Sequence, residues 1–302
     1  MYRSNNSQMR ASAAVRRRRS VLALALLALA AAAAGFAHPA HSSTGLREAV
    51  DASSFAPGAC VAFGPTVGDR HQTVFLDAGH GGLDPGSVGT TETGAAIDEA
   101  AETLPVELDA MADLRRDGFR VVVSRTADSS VARLGASDVD GNLLTAQGVH
   151  DDVAARAACA NDAHAEVLIG IYFDAGATGN AGSVTGYDAD RPFAADNLRL
   201  ADLVQSDVLG AMNARGWGVP DEGVQPDSEL GSAIGSEAIS YGHLMLLGPA
   251  EPGWFDTPSQ MPGALIEPLF ITDPFEGSIA ASATGQQVIA AGIARAVEQY
   301  FA

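Results

Sequence analysis

Residues 74–86 read Val-Phe-Leu-Asp-Ala-Gly-His-Gly-Gly-Leu-Asp-Pro-Gly, a short apolar run followed by a histidine set among glycines. The apolar run is typical of a buried strand, and the glycines allow the backbone to come close to a ligand or a metal. In open α/β sheets, ligand sites gather where the strands end. The stretch therefore predicts a central strand with His80 at its functional end.

The alternation of strands and helices continues to the C-terminus. Four further apolar strands are predicted, at Arg120–Ser124, Val167–Ile171, Leu244–Leu247 and Ala264–Phe270. Apolar residues recur at helical spacing in three intervening runs, residues 104–114, 201–212 and 289–297. Continuous apolar strands are usually covered on both faces. The predicted fold class is α/β, a single three-layer domain with a twisted, mixed, mostly parallel sheet between helices.

Composition excludes some classes of function. The 302 residues carry 37 acidic and 18 basic side chains, and the formal net charge is -19. A surface this anionic repels phosphate backbones, so we expect no nucleic-acid partner.

The N-terminal residues have the pattern of an export signal. Arg16–Arg19 lead into the apolar run Val21–Ala34, which small residues follow. We predict a signal peptide over residues 1–37, a loop-like leader over 38–72 and a catalytic domain over 73–302. The protein is then secreted, extracellular or bound to the cell wall, with no stable membrane anchor after cleavage; an uncleaved anchor is the alternative.

Two cysteines and one glutamate have more than one interpretation. Cys60 and Cys159 could form a disulfide in an exported chain, and the sequence leaves their pairing open. Glu267 lies inside an apolar run, where a carboxylate is costly unless it is paired, binds metal or faces a cleft. Alternatively Glu267 lies in solvent on an edge strand, which the adjacent Pro268 favours.

From Val74 to its C-terminus the chain resembles the zinc-dependent N-acetylmuramoyl-L-alanine amidases of bacterial cell walls. Residues 77–82 match the family's first histidine motif, except for Ala78 in place of the usual proline. The resemblance implies that His80 is the first zinc ligand. In the family, the second ligand is a glutamate nineteen residues before a glycine that opens a strand, and Gly118 puts Glu99 at that position.

The predicted start of the helix affects this second ligand. Pro105 is typical of a first helical turn, so it moves the expected helix start beyond Glu99. Glu102 is then the alternative ligand.

The third ligand position departs from the family. Tyr172 stands where the family has histidine, although Arg156 and the pair at 160–161 keep the surrounding motif. A phenol with an ordinary pKa near 10 is a poor zinc ligand at neutral pH, although a metal lowers that pKa. Three interpretations follow: Tyr172 binds zinc as a phenolate, Asp174 replaces it, or the metal site is lost.

The family's closing motif matches residues 262–267 and makes Glu267 the catalytic glutamate. The resemblance thus implies a peptidoglycan hydrolase that cleaves the amide between N-acetylmuramic acid and L-alanine. Zinc would activate water, and Glu267 would transfer the proton. The alternative is an inactive pseudo-amidase that serves as a wall-binding or regulatory module.

Overall fold

A computed structural model describes residues 47–177, 179–230 and 235–302. The predicted signal peptide, residues 1–37, lies outside this part of the chain. Within it, no helix is both long and apolar enough to cross a membrane.

Twelve strands and seven helices are present in the described residues. The strands are β1 (Arg47–Ala49), β2 (Ala59–Phe63), β3 (Thr73–Ala78), β4 (Val88–Thr90), β5 (Ala96–Asp98), β6 (Arg120–Arg125), β7 (Val139–Asp140), β8 (Leu143–Leu144), β9 (Val167–Ile171), β10 (Ser183–Tyr187), β11 (Asp221–Pro226) and β12 (Gly263–Glu267). The helices are α1 (Glu99–Arg116), α2 (Ala146–Asp162), α3 (Ala194–Asn213), α4 (Asp227–Leu230), α5 (Gly235–Tyr241), α6 (Pro274–Ala280) and α7 (Ala283–Tyr300).

Eight strands form one mixed sheet in the order β1-β2-β6-β3-β9-β12-β10-β11. The central strands β6, β3, β9 and β12 are parallel to one another. β2 and β10 join them as antiparallel partners. Because β3, β9 and β12 are parallel, their carboxyl ends reach the same edge, and this brings the ends of the three predicted site strands together.

The two faces of the sheet pack into two separate cores, because successive side chains of a strand point to opposite faces. Val74 and Leu76 face α1, α3 and α7, whereas Phe75 faces the side on which Cys159 of α2 is buried. The predicted three-layer α/β fold is confirmed.

The prediction of a loop-like leader over 38–72 is wrong for its described part. β1 and β2 extend the sheet, and all five residues of β2 are buried. Pro57 and Gly58 precede this short strand, and Gly64 and Pro65 follow it, so the turn-forming residues that favour a loop lie outside the strand itself.

A disulfide joins Cys60 of β2 to Cys159 of α2. Both cysteines are fully buried, and Cys60 has a φ of 50°, in the left-handed region. Cys60 does not pair with a residue of β6, whereas its neighbours Ala59 and Val61 pair with Arg125 and Val123. The pairing that the sequence left open is therefore present, and it fastens β2 to α2 in the layer opposite α1.

Two predicted elements differ in detail from the structure. Residues 244–247 form a buried turn rather than a strand, closed by a hydrogen bond from Leu247 N to Leu244 O. The last predicted strand ends at Glu267, immediately before Pro268. Apolar character alone predicts burial and does not specify the backbone conformation. The first segment is therefore a turn, and the strand in the second is shorter than predicted.

Candidate active site

His80 lies between two carboxylates directly after β3. Its Nδ1 is 2.8 Å from Asp84 Oδ2, and its Nε2 is 3.2 Å from Glu99 Oε1. Burial lowers the pKa of His80, but the charges and hydrogen bonds of Glu99 and Asp84 outweigh it and raise that pKa to about 10. Such a pair binds either a proton or a metal ion between Nε2 and Glu99.

Glu99 is held in place by backbone groups. Its Oε1 accepts a hydrogen bond from Phe173 N at 2.9 Å, and its Oε2 accepts one from Ser87 N at 3.0 Å. It is the first residue of α1, which Asp98 caps by accepting a hydrogen bond from Ala101 N. The sequence-based expectation that Pro105 delays the helix start is therefore wrong: the helix contains Pro105 in its interior.

Glu102, the alternative ligand, faces elsewhere. Its Oε2 accepts a hydrogen bond from Gln286 Nε2 of α7 at 2.9 Å. Glu99, and not Glu102, is therefore the partner of His80.

The hydroxyl group of Tyr172 is bound to a carboxylate and not to His80 or Glu99. It donates a hydrogen bond to Asp77 Oδ2 at 3.1 Å, and its ring lies over Gly79, where a Cβ would come within 2.4 Å of it. Burial and the Asp77 carboxylate raise the pKa of Tyr172 well above its ordinary value, although Arg156 opposes this. This contact argues against the prediction that Tyr172 binds metal as a phenolate.

Glu267 ends β12 in the middle of the sheet, where β9 and β10 flank it. The alternative of an edge strand is therefore wrong, and Pro268 lies just past the strand, where it has no ladder hydrogen bond to donate. Burial, Asp174 and Glu99 raise the pKa of Glu267 to about 8, while His80 lowers it. A carboxyl group in this state can hold a proton at neutral pH.

These side chains share one cavity of about 810 Å³. His80, Glu99 and Glu267 lie in its lining together with Tyr172 and Asp174. The remaining lining residues, here called the wall, include apolar and aromatic groups such as Trp254, whose carbonyl lies 2.7 Å from His150 Nε2. The cleft therefore has a polar floor and a largely apolar wall, which suits a substrate of mixed character.

Sequence reasoning assigned no role to the residues that hold the floor in shape. Arg156 is buried and pairs with Asp77 at 2.7 Å and Asp152 at 2.8 Å, and it also donates to the carbonyl oxygens of Ala78 and His80. The sequence shows that Arg156 matches the family motif. Its role in supporting the His80 loop depends on contacts with Asp77 and His80, which lie 76 or more positions away in the chain.

Two of three expected protein donors fit a zinc ion. A catalytic zinc site has three protein ligands and an open position. His80 Nε2 and Glu99 Oε1 satisfy two of these. Among the described residues, no third histidine, cysteine, aspartate or glutamate places a ligand atom within 4.8 Å of both His80 and Glu99 ligand atoms.

Glu276 shapes the loop that follows Glu267. Its Oε2 accepts hydrogen bonds from Phe270 N at 2.7 Å and Gly182 N at 3.1 Å. Burial nevertheless raises the pKa of Glu276 from 4.5 to about 7. The folded protein thus holds this proton more tightly than the unfolded chain does.

We expect the free energy of unfolding to fall as pH rises from 5 to 8. The stabilisation from protonated Glu276 is complete below its unfolded pKa of 4.5 and is lost as pH passes its folded pKa of about 7. Glu276→Gln keeps an oxygen acceptor without ionising, so urea unfolding of this variant should show a smaller pH slope. Exposed Glu92→Gln is the control, and equal slopes in all three proteins would contradict the prediction.

The fold and the cleft define an α/β protein whose histidine and carboxylate side chains gather at the carboxyl ends of the central strands. The chain belongs to the N-acetylmuramoyl-L-alanine amidase family, whose profile matches residues 74–299. Members of this family are hydrolases of cell-wall peptidoglycan.

The chain is also similar to individual proteins. An uncharacterized protein of Bacillus subtilis strain 168, YqiI, is 25% identical over 230 residues, which cover 76% of this chain and 85% of that protein. The CwlD amidase of Clostridioides difficile, solved with the GerS lipoprotein, has a TM-score of 0.56 and 21% identity, covering 76% of this chain and 98% of that one. An N-acetylmuramoyl-L-alanine amidase of Clostridium difficile 630 has a TM-score of 0.51 and 25% identity, covering 76% and 96%.

Proposed function

We propose that the protein hydrolyses the amide between N-acetylmuramic acid and the L-alanine of the peptidoglycan stem, outside the cytoplasmic membrane. The observation that carries this proposal is the arrangement of His80, Glu99 and Glu267 around one cleft. The disulfide between Cys60 and Cys159 supports export, because such bonds persist in oxidising compartments. Export through the predicted signal peptide, residues 1–37, is part of the proposal.

His80 and Glu99 would hold the zinc ion, and Asp174, which lines the same cleft, would supply the third donor after side-chain rotation. The ion supplies polarisation of the scissile carbonyl and acidification of water. The Asp84 carboxylate orients the imidazole through Nδ1, which leaves Nε2 toward Glu99.

Glu267 transfers the proton. Its carboxylate accepts a proton from water and delivers it to the leaving amide nitrogen. Once Glu267 has accepted this proton, burial stabilises the neutral carboxyl group until the proton passes to the leaving nitrogen.

A second candidate function follows from the contact between Tyr172 and Asp77. If this contact keeps the third ligand position closed, the cleft binds peptidoglycan without turnover and the protein is a wall-binding or regulatory module. Metal content separates the two candidates.

The test compares the full chain with Tyr172→Phe, Asp174→Asn and Tyr172→His. Elemental analysis gives the zinc content of each protein, and the content of Glu99→Gln is subtracted to obtain the zinc that depends on Glu99. Cleavage of the muramyl amide is assayed in parallel. We expect about one such zinc and turnover in the wild type and in Tyr172→Phe, and loss of both in Asp174→Asn.

Other results would select another interpretation. Loss of zinc in Tyr172→Phe would mean that the phenol is the ligand. Zinc and turnover that appear only in Tyr172→His would establish the wall-binding module, since that variant restores the imidazole.

A further inference from the structure

A second group of metal-binding side chains lies away from the floor of the cleft. Asp188 directly follows β10, Asp227 begins α4, and His243 follows α5. One ligand atom from each lies within 4.8 Å of the others, and no other group of three in residues 47–177, 179–230 and 235–302 does so. None of the three lines the cavity that contains His80.

Asp188 carries an oxygen that has no hydrogen-bond partner. The residue is fully buried; its Oδ1 accepts a hydrogen bond from Asp190 N at 2.6 Å, but its Oδ2 accepts none. A buried carboxylate oxygen without a partner is costly. The neighbouring cation, Arg191, does not satisfy it, because its guanidinium donates to the carbonyl oxygens of Leu247, Gly248 and Ser259.

The other two members face each other beside Asp188. Asp227 is 1% exposed, and its Oδ1 lies 3.1 Å from His243 Nδ1. Its Oδ2 accepts a hydrogen bond from Leu244 N at 3.0 Å, which fixes the carboxylate plane. In a tetrahedral zinc site, ligand atoms lie roughly 3.3 Å apart, so small side-chain rotations bring these donors onto one ion.

The donor types indicate the class of ion. Calcium and magnesium prefer oxygen ligands throughout. An imidazole nitrogen with two carboxylate oxygens suits zinc or a similar transition-metal ion. A water molecule can take the remaining position, since the exposed Asp190 faces the other ring nitrogen of His243, with its Oδ2 3.7 Å from Nε2.

We infer that Asp188, Asp227 and His243 bind a zinc-class divalent cation that is distinct from the one at His80 and Glu99. The inference does not depend on the proposed function, because it rests on different residues. It assigns a partner to the otherwise unsatisfied Asp188 oxygen.

The position of this ion gives it a structural consequence. The chain between Asp227 and His243 contributes Leu230 and Ala238 to the wall of the cleft, and Leu244 follows directly. A metal bound to both ends of this segment and to Asp188 ties the wall to the end of β10. The ion therefore stabilises the cleft without touching the reacting groups.

The experiment measures zinc in the full chain carrying Glu99→Gln, which removes the contribution of the His80 site. After exposure to Zn²⁺ and removal of excess ion, we expect about one zinc per chain in Glu99→Gln and near zero in the double variant with Asp188→Asn. Added Zn²⁺ should raise the Tm of the first protein and leave that of the second unchanged. Exposed Asp202→Asn is the charge-matched control and should retain the ion.

Asp188→Asn removes a buried charge without changing shape, so its metal-free form should unfold at the same temperature as metal-free Glu99→Gln or at a higher one. His243→Gln is the second variant and should weaken Zn²⁺ binding more than tenfold. Either an absence of zinc in Glu99→Gln or its full retention in the Asp188→Asn double variant would overturn the inference. Failure of the peptidoglycan assay alone would leave these zinc contents unchanged.

Discussion

Glu267→Gln is expected to lower the rate of muramyl amide hydrolysis by a factor of roughly 10² to 10⁴ and to leave folding intact. The substitution keeps the size of the side chain and removes its capacity to move a proton. The fold should tolerate it, because burial already favours the uncharged carboxyl and raises its pKa to about 8. The measurement is release of stem peptide from purified peptidoglycan, with Tm recorded for each protein.

Glu102→Gln is the matched control for this prediction. It makes the same chemical change on α1, at a side chain whose partner is Gln286. We expect its turnover to match the wild type. Equal turnover in Glu267→Gln and the wild type would remove Glu267 from the mechanism, and loss of zinc in Glu102→Gln would restore the sequence-based alternative ligand.

Replacing both cysteines with alanine is expected to lower the free energy of unfolding by about 4.7 kcal/mol, because the disulfide closes a loop of about 100 residues. The sequence separation of Cys60 and Cys159 is 99. For a domain of this size, that loss corresponds to a fall in Tm of roughly 10 to 20 °C. Small cavities at the two buried positions would add to the loss.

Reductant supplies the control for the disulfide. A reducing agent should lower the Tm of the wild type toward that of Cys60→Ala/Cys159→Ala and should not change the double variant. A wild-type Tm that does not respond to complete reduction would show that the bond adds nothing to stability.

Much of the fold was predictable from local pattern. β9 occupies the predicted residues Val167–Ile171, because a continuous apolar run that is buried on both faces has few alternatives. β2 was missed because five residues between glycine-rich turns carry too little pattern to predict a strand. Leu244–Leu247 was predicted to be a strand because its apolar residues indicate burial, but they do not determine the backbone conformation, which is a turn.

The candidate site was predictable to the extent that its motifs are local. His80 and Glu99 were named as ligands from the resemblance to the amidase family, and the structure places His80 Nε2 and Glu99 Oε1 3.2 Å apart. The contact of Tyr172 with Asp77 was not predictable, since it joins residues 95 positions apart. The same holds for Asp188, Asp227 and His243, which no motif connects.

The sequence by itself determined the α/β class, the acidic charge and the identity of the residues at the strand ends, because these depend on composition and on neighbours a few positions away. Only the tertiary structure decided that Glu267 lies in a central strand and that Cys60 pairs with Cys159. It also decided that the Tyr172 hydroxyl faces Asp77 and that Asp188 keeps one oxygen without a partner. The physical reason is that register and packing bring distant residues together, and the energies of burial and hydrogen bonding act on those contacts rather than on positions in the chain.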